Sequence, residues 1–344
     1  MLPFAGKRDT TCGMTPPRRA TPTISQVASA AGVDRSTVSR AFTRPELLSR
    51  DTVQKVLEAG LRLGYVPNPT ARALSTGRHG NIALIVPDVA NPFFPPLIRA
   101  AERELDKLDF CLFLGDSDEN AAREDKLVGR LAGQVEGVIL ASSRLPEEAI
   151  RAHAALRPLV LINRDVAGIP RVLIDSRSGV EMAMEHLAEL GHRTVAYVSG
   201  PASSWSNRQR RAAVRRAAKR LGVEAVVVPA PVPSYEAGRA VAGALLASGA
   251  SAAIAFDDVT AHGLLAGLAA QGVAVPEAFS VVGCDDVLGA LTQPALTTVS
   301  NRSNEAGKAA VSMLFDRLQS RAASDDRHVL ETHLVVRATT GPRG

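Results

Sequence analysis

The stretch TISQVASAAGVDRSTVSRAF, residues 23–42, predicts two short helices joined by a tight turn. Thr23, followed three positions later by Gln26, is the pattern of a capping box at a helix N-terminus. Apolar residues then recur at the i, i+3, i+4 and i+7 positions of one helix face: Ile24, Val27, Ala28 and Ala31. Gly32 is expected to end this helix, and Asp34 to cap the next one.

The second predicted helix has Val38 and Phe42 on its inner side and a polar, cationic outer face of Arg35, Ser36, Ser39 and Arg40. Two small helices around a glycine turn form a helix-turn-helix, which places its second helix in the major groove of DNA. Short helices separated by glycine also occur in proteins that bind no DNA. The pattern therefore indicates a DNA partner, and a purely structural interpretation stays open.

A third helix is predicted to start near Ser49, with four residues facing inward: Val53, Val56, Leu57 and Leu61. Gly60 lies inside it, and a mid-helix glycine costs about 1 kcal/mol relative to alanine. The three-helix unit is therefore expected to be marginally stable.

The charge of the chain is unevenly distributed. Residues 1–80 hold 12 Lys and Arg against five Asp and Glu, a net charge of +7, so the rest of the 344-residue chain carries −2 of its total of +5. A small basic segment is the expected electrostatic footprint of phosphate binding. The length leaves room for two further domains.

Targeting signals are not recognisable in the sequence. Cys12, Cys111 and Cys284 are odd in number and lack metal-site spacing, which favours a reduced, cytoplasmic protein without a metal or cofactor. Residues 1–14 have no apolar segment of signal-peptide length, and no run reaches the length of a membrane span. Residues 1–21 are predicted to be disordered; a basic arm that contacts DNA is the alternative, and Met14 is an alternative start.

From residue 81 onward the sequence alternates strand-like and helix-like segments. Val-, Ile- and Leu-rich runs occupy residues 81–86, 110–115, 135–141 and 157–162, with amphipathic helical segments between them. The alternation begins again after residue 175. Continuous apolar runs between helices are typical of parallel strands buried on both faces, so the sequence predicts two doubly wound α/β halves.

Motifs along the whole chain resemble the LacI/GalR (lactose repressor) family of bacterial transcription regulators. They are AGVDRSTVSRAF (31–42), LGYVPNPTARALSTGR (63–78), VPDVANPFF (86–94), ELGHRTVAYVSGP (189–201), SVVGCDDV (280–287) and PALTTVS (294–300). The resemblance covers about residues 22–341. It implies a repressor that binds a pseudo-palindromic DNA operator as a homodimer and is controlled by a small-molecule effector. The expected location of the protein is the bacterial cytoplasm, at the nucleoid.

The resemblance also implies the domain organisation. A small all-α helix-turn-helix headpiece at 22–68 is followed by a hinge-helix linker at 69–79. An α/β periplasmic-binding-protein-like clamp of two doubly wound parallel-sheet lobes then fills 80–341. The chain is expected to cross between lobes near 175–178, 300–302 and 319–323, so that lobe 1 takes 80–175 and 302–319, and lobe 2 takes 178–300 and 323–341.

The expected DNA contacts lie in the headpiece and the linker. By resemblance, Arg35 and Ser36 read bases, with Arg40 as a further base contact, and an arginine there suits bidentate contact with guanine. Thr23, Ser25, Thr37 and Ser39 are better placed for phosphates. In the linker, Arg72 accompanies Leu74, which by resemblance wedges into the minor groove and kinks the duplex; a simple hinge-to-core contact is the alternative for Leu74.

The expected effector site is the cleft between the lobes. Ten residues are expected in it, all but Trp205 from the resemblance or from their place after a strand: Asn91, Phe93, Phe94, Asp116, Asn163, Arg164, Trp205, Arg210, Asp257 and Asp285. Arg210 matches the family arginine that clamps the effector, and Asp285 the aspartate that accepts hydrogen bonds from it. Phe93 and Phe94 either stack on the ligand or belong to the core. The same two alternatives hold for Trp205, which has Ser and Asn neighbours.

The nature of the effector is left open by the sequence. Asp257 stands where the family usually has asparagine, and with Asp285 and Asn91 it favours a polyhydroxyl ligand such as a sugar. Arg210 and Arg164 leave room for an acidic or phosphorylated one. An inducer and a corepressor are equally compatible with these residues.

Two other classes of protein fit less well. A solute-binding protein for transport would share the clamp, but it would need a signal peptide and no basic headpiece. An enzyme is disfavoured because the sequence has no glycine-rich phosphate loop, nucleophile elbow or HExxH pair. Asp257 and Asp258, adjacent after a strand, are expected to point to opposite sides.

Overall fold

The computed structural model describes residues 22–66, 79–320 and 325–343. The chain forms two compact units, which meet in sequence between His79 and Gly80. Within the described residues, no helix is both long enough and apolar enough to cross a membrane. The predictions for residues 1–21 and for Arg72 and Leu74 fall outside the described residues.

The headpiece, residues 22–66, consists of α1 (Ile24–Ala31), α2 (Arg35–Thr43) and α3 (Arg50–Leu63). The predicted capping box is confirmed, because the backbone N–H of Thr23 donates to Gln26 Oε1 at 2.7 Å. Gly32 ends α1 with a φ of 66°, a left-handed conformation that glycine adopts without strain. The core of the headpiece is small and aliphatic, with Val27, Val38, Val56 and Ala59 fully buried.

The prediction that Leu57 and Leu61 face inward is wrong. They are 44% and 85% exposed, whereas the inner face of α3 is formed by Val56, Ala59 and Gly60. Each leucine lies one position beyond an inward residue, which rotates it by about 100° around the helix.

Gly60 itself is explained by the aromatic residue above it. A Cβ atom at this position would lie 3.1 Å from Cζ of Phe42. The Phe42 ring in turn packs on Tyr65, with 5.6 Å between ring centroids. Glycine at this position lowers helix propensity, but it lets the Phe42 ring pack closely on α3.

The second unit follows the predicted α/β alternation. In chain order its elements are β1 (Asn81–Val86), α4 (Phe94–Asp106), β2 (Cys111–Asp116), α5 (Ala121–Leu131), β3 (Gly137–Ala141), α6 (Glu147–Leu156), β4 (Leu159–Ile162), β5 (Arg171–Ile174), α7 (Ser176–Glu189), β6 (Thr194–Ser199), α8 (Trp205–Leu221), β7 (Glu224–Pro229), α9 (Tyr235–Ala240), α10 (Ala242–Ala247), β8 (Ala252–Ala255), α11 (Asp258–Ala270), β9 (Ser280–Asp285), β10 (Thr297–Ser300), α12 (Ser303–Ser320), β11 (Arg327–Leu330) and β12 (Leu334–Val335).

These elements build two lobes around two six-stranded sheets. The sheet of lobe 1 has the order β11-β5-β4-β3-β1-β2 and is parallel throughout. The sheet of lobe 2 has the order β12-β10-β9-β8-β6-β7, and its edge strand β12 is antiparallel to β10. The predicted architecture of two doubly wound lobes is confirmed, with this one antiparallel edge.

The apolar runs read from the sequence are buried because helices cover both faces of each sheet. On β1, for example, Ile82 and Leu84 belong to the core layer under α4 and α12, whereas Ala83 and Ile85 belong to the layer under α5 and α6. Strands of this kind show no polar–apolar alternation.

The chain crosses between the lobes three times, and one predicted position needs correction. The crossings after β5 and between β10 and α12 lie as expected. The third lies at 331–333 and not at 319–323, because β11 pairs with β5 in the sheet of lobe 1. Ion pairs hold β11 there: Arg171 contacts Asp325 at 2.6 Å, and Arg327 contacts Asp165 at 3.2 Å. Lobe 1 therefore extends through β11, and lobe 2 resumes at β12.

Candidate functional site

The headpiece presents its polar residues on the outer faces of α1 and α2. On α2, Val38 and Ala41 face the core, so the opposite face is open to solvent. Its exposed residues are Arg35, Ser36, Ser39 and Arg40, and Thr37 is half-buried. Thr23 and Ser25 are exposed at the start of α1. Ser25 and Arg35 line the same shallow groove. The predicted DNA-contacting residues of the headpiece are thus accessible, and two of them are neighbours.

The second candidate site is the cleft between the two lobes. Fourteen of the described residues line it, seven from each lobe: Asn91, Phe93, Phe94, Glu119, Ser142, Arg144 and Asn163 from lobe 1, and Ser204, Ser206, Arg210, Pro233, Phe256, Asp257 and Asp285 from lobe 2. Most of them follow the carboxyl ends of parallel strands, the edge at which α/β sheets bind ligands. Seven of the ten predicted effector residues are among them.

A hydrogen bond joins the two lobes across this cleft. Asn91, in the loop after β1, donates from Nδ2 to Oδ2 of Asp257 at 2.9 Å. The other oxygen of Asp257 caps α11 by accepting from the backbone N–H of Thr260 at 2.8 Å. Asn91 is also fixed, because its Oδ1 accepts from the N–H of Phe93 at 3.0 Å. Both side chains are therefore oriented by their own loops before they meet.

Arg210 is held in the cleft by lobe 2. Its Nη2 lies 3.5 Å from Oδ1 of Asp285, and its Nη1 donates to the carbonyl oxygen of Phe256. The guanidinium group also lies over the Phe256 ring, 5.1 Å from the centroid. Its Nε is buried and finds no hydrogen-bond partner among the described residues.

The start of α8 positions Arg210. Ser204 caps the helix by accepting from the N–H of Asn207 at 3.2 Å. The buried Asn207 accepts from the hydroxyl of Tyr197 at 2.9 Å and donates to the carbonyl oxygens of Gly200 and Pro201, both at 3.0 Å. A buried amide group that makes several hydrogen bonds to a loop makes that loop rigid. The helix that carries Arg210 therefore begins at a fixed position.

The carboxyl groups of lobe 2 are deeply buried. Burial raises the pKa of Asp285 well above its ordinary value, while the neighbouring Arg210 acts in the opposite direction. Burial also raises the pKa of Asp258 to about 6. Asp258 is not among the residues that line the cleft, and its carboxylate accepts from Thr298 Oγ1 at 2.6 Å and from the N–H of Val287 at 3.2 Å. Asp257 and Asp258 thus have entirely different hydrogen-bond partners.

Sequence reasoning missed an ion pair in lobe 1. Arg144 donates to Glu119 through both Nε and Nη2, at 2.5 and 2.8 Å. Arg144 follows β3 and Glu119 follows β2. The rule that ligand sites lie beyond the carboxyl ends of strands would have indicated both, together with Ser142 and Phe256.

Half of the described non-glycine residues with positive φ angles line the cleft. Four lining residues other than glycine have positive φ angles: Glu119 (55°), Ser142 (51°), Asn163 (53°) and Asp285 (131°). Such conformations cost of order 1–3 kcal/mol each and are typical of ligand-binding positions. Asn163 is held in place because its Oδ1 accepts from the N–H of Ile174 at 3.0 Å.

Three predicted effector residues do not line the cleft. Asp116 binds the backbone of two loops instead: its two carboxylate oxygens accept from the N–H groups of Val89 and Asp118, at 3.2 and 2.8 Å. Arg164 donates to the carbonyl oxygen of Leu145 at 3.0 Å. Trp205 is the half-buried first residue of α8, and its neighbours Ser204 and Ser206 face the cleft instead.

The core interpretation of the two phenylalanines is confirmed, and their stacking on a ligand stays a prediction. Phe93 and Phe94 are buried in the core of lobe 1 and also line the cleft. Their rings meet edge to face, with centroids 4.8 Å apart. Together with Phe256 they form the apolar wall of an otherwise polar site.

The chain is similar to known proteins over almost its whole length. The model of the lacI family of bacterial regulatory proteins matches residues 23–68, and that of the periplasmic binding protein-like domain matches residues 184–340. The HTH-type transcriptional regulator DegA of Bacillus subtilis (strain 168) is 32% identical over 332 residues, which cover 93% of this chain and 98% of DegA.

Two solved structures extend this similarity to three dimensions. The Lac repressor dimer bound to operator and the anti-inducer ONPF has a TM-score of 0.84 at 26% identity, over 93% of this chain and 99% of that chain. A complex of the transcriptional regulator CelR with cellobiose has a TM-score of 0.68 at 31% identity, over 92% of this chain and 99% of that chain. Because a relative 32% identical over almost the whole chain and both domain models match it, this chain belongs to the LacI family of bacterial regulatory proteins.

Proposed function

We propose that this regulator represses transcription by binding a pseudo-palindromic operator as a homodimer, and that a small sugar-like effector in the cleft controls its affinity for DNA. The observation that carries the proposal is the combination of two features in one chain. The headpiece exposes a cationic recognition helix, and the second unit contributes equal numbers of cleft residues from two lobes. A solute-binding protein would need only the second feature.

The DNA-binding role rests on α2. Arg35 and Ser36 lie in its first turn and are exposed, the position from which a recognition helix reaches base edges. Arg40 is a further base contact. Thr23, Ser25, Thr37 and Ser39 bind phosphates, and Arg72 and Leu74 act in the minor groove. Two subunits would place two such helices on two half-sites, which is why the operator is expected to be pseudo-palindromic. Such a protein acts at the nucleoid of the bacterial cytoplasm.

The effector role rests on the polar groups that converge from both lobes. We assign ligand contacts to Arg210, Asp285 and Asn163, with Phe94 and Phe256 against the apolar face of the ligand. The Asn91–Asp257 hydrogen bond spans the lobes, so a ligand that strengthens or replaces it changes the energy of lobe closure. The ligand controls DNA affinity only through different affinities for the two conformations. The CelR–cellobiose complex supports a sugar as the ligand class.

The operator is found by selection of bound duplexes from a random library, followed by titration of the selected duplex and a scrambled one. Arg35→Ala is expected to weaken binding to the selected duplex by roughly 10- to 100-fold, because a bidentate arginine–guanine contact is worth about 1–3 kcal/mol. Binding to the scrambled duplex is expected to fall only slightly.

Arg62→Ala is the matched control for this variant. Arg62 is also exposed, in the last turn of α3, and its removal lowers the headpiece charge by the same amount. If both variants lose the same affinity on both duplexes, Arg35 acts as a general charge and its proposed base readout is wrong. If the wild-type protein selects no duplex at all, the proposed function fails.

A further inference from the structure

The cleft contains two guanidinium groups, and each one already has a carboxylate. Arg210 lies beside Asp285 in lobe 2. In lobe 1, Arg144 and Glu119 form a two-pronged ion pair, with donor–acceptor distances of 2.5 and 2.8 Å. Paired donors of this kind match the two oxygens of a carboxylate, the same geometry that a ligand carboxylate or phosphate would use.

The structure fixes Arg144 in this pairing from three sides. Its Nη1 donates to the carbonyl oxygen of Ser142 at 2.6 Å. Its backbone N–H donates to Oε2 of the buried Glu124 at 2.8 Å. Its side chain is only 4% exposed, while that of Glu119 is 25% exposed. The Arg144 side chain therefore cannot swing away toward a ligand without breaking three partly buried hydrogen bonds, and Glu119 occupies its fork on the open side.

The charges of the cleft leave no surplus for an anion. Among the described lining residues, the two cations Arg144 and Arg210 face three carboxyl groups, Glu119, Asp257 and Asp285. Even with Asp285 protonated, two carboxylates balance the two guanidinium groups. A charge brought into a buried site without a free partner is strongly disfavoured.

We infer that Glu119 is a specificity-determining residue of the effector cleft: by neutralising Arg144 it selects uncharged polyhydroxyl ligands and excludes sugar acids and sugar phosphates. This inference rests on the proposed function, because it concerns the ligand of the same cleft. It decides between the two ligand classes that the sequence leaves open.

Replacement of Glu119 by glutamine tests this selection. Glutamine keeps the size and one acceptor oxygen, but it removes the charge that cancels Arg144. The probes are neutral sugars and their matched acids, namely glucose with glucuronate, galactose with galacturonate, and ribose with ribose 5-phosphate. Thermal shift identifies binders, and calorimetry measures their affinities for the full-length protein.

We expect the wild-type protein to bind at least one neutral sugar and to bind its acidic counterpart at least tenfold more weakly. In Glu119→Gln, the ratio of acid to neutral affinity is expected to rise roughly tenfold or more, because the charge of Arg144 is no longer cancelled and attracts the ligand anion. Glu147→Gln is the matched control. Glu147 also pairs with an arginine, Arg151 at 2.6 Å on α6, but lies outside the cleft, so the ratio should stay at the wild-type value.

Three results would overturn the inference. The wild-type protein binds an acid as tightly as its neutral partner, or Glu119→Gln leaves the ratio unchanged, or no neutral sugar binds while the selected operator is still bound. In each of these cases operator binding by the same preparation shows that the regulator itself is intact. Failure to bind any selected operator would count against the proposed function instead.

Discussion

Gly263→Ala is expected to lower the free energy of unfolding of the two-lobed unit by about 3 kcal/mol or more. Gly263 lies in α11 where this helix crosses α9 at backbone contact. A Cβ atom at Gly263 would lie 1.9 Å from the carbonyl oxygen of Tyr235, and one at Gly238 would lie 2.1 Å from that of Thr260. Neither carbonyl can rotate away as a side chain could, so the helices would have to separate and open the core of lobe 2.

The same substitution is expected to disturb the cleft. Asp257 caps α11 through the N–H of Thr260, so a displaced helix carries Asp257 away from Asn91. Chemical denaturation followed by circular dichroism measures the loss of stability, and calorimetry measures binding of a neutral sugar. Both quantities should fall together, because one helix serves the core and the site.

Gly129→Ala is the matched control for Gly263→Ala. Gly129 lies inside α5, and a Cβ atom there would meet no heavy atom within 4 Å. Alanine is expected to stabilise the protein by about 1 kcal/mol through helix propensity alone. Equal stabilities of the two alanine variants would show that the close helix crossing is not a constraint.

What the sequence predicts well is what depends on neighbouring residues. The capping box of Thr23 and Gln26, the turn at Gly32 and the apolar face of α1 are all local, and all are confirmed. The strands can also be predicted, because parallel strands that are covered on both faces consist of continuous runs of Val, Ile and Leu. Strand ends also indicated much of the cleft, since Asp285 ends β9, Asp257 comes two residues after β8, and Asn91 lies in the loop after β1.

What the sequence predicts poorly depends on distant pairing. The predicted position of the third lobe crossing was wrong because ion pairs with Arg171 and Asp165, more than 150 residues earlier in the chain, hold β11 in the sheet of lobe 1. The strand-end rule could have placed Arg144 and Glu119 at the cleft, but it could not have paired them, since the two residues follow different strands and meet only in the folded lobe. On α3, Leu57 and Leu61 appeared to be core residues because leucine is apolar. Packing by Phe42 against Gly60 decides the inner face instead.

Arg210→Met is expected to abolish the response of operator binding to the effector and to destabilise the folded protein by about 3–5 kcal/mol at pH 8. Methionine fills a similar volume but leaves the carboxyl group of Asp285 buried without its cation. Arg216→Met is the matched control: it lies on the same helix, and its ion pair with Glu181 at 2.7 Å is about half exposed. Loss of that pair is expected to cost at most about 1 kcal/mol.

The pH dependence identifies Asp285 as the cause of the instability. Burial already raises the pKa of Asp285 in the folded protein, and Arg210 opposes this shift, so its removal raises the folded pKa further. The folded state then holds a proton that the unfolded chain releases above about pH 4. Stability of the variant should therefore fall as pH rises from about 4 toward the raised pKa, and its deficit should be smaller at pH 5 than at pH 8.

A second substitution separates stability from binding. Arg210→Met combined with Asp285→Asn removes the unpaired charge, so it is expected to recover most of the lost stability and to lose the dependence of the deficit on pH. The effector response should stay absent, because both ligand contacts are gone. Unfolding curves at pH 5 and pH 8 and operator titrations with and without a bound sugar measure these outcomes. A double variant as unstable as Arg210→Met would show that lost packing on Phe256, and not the charge of Asp285, causes the defect.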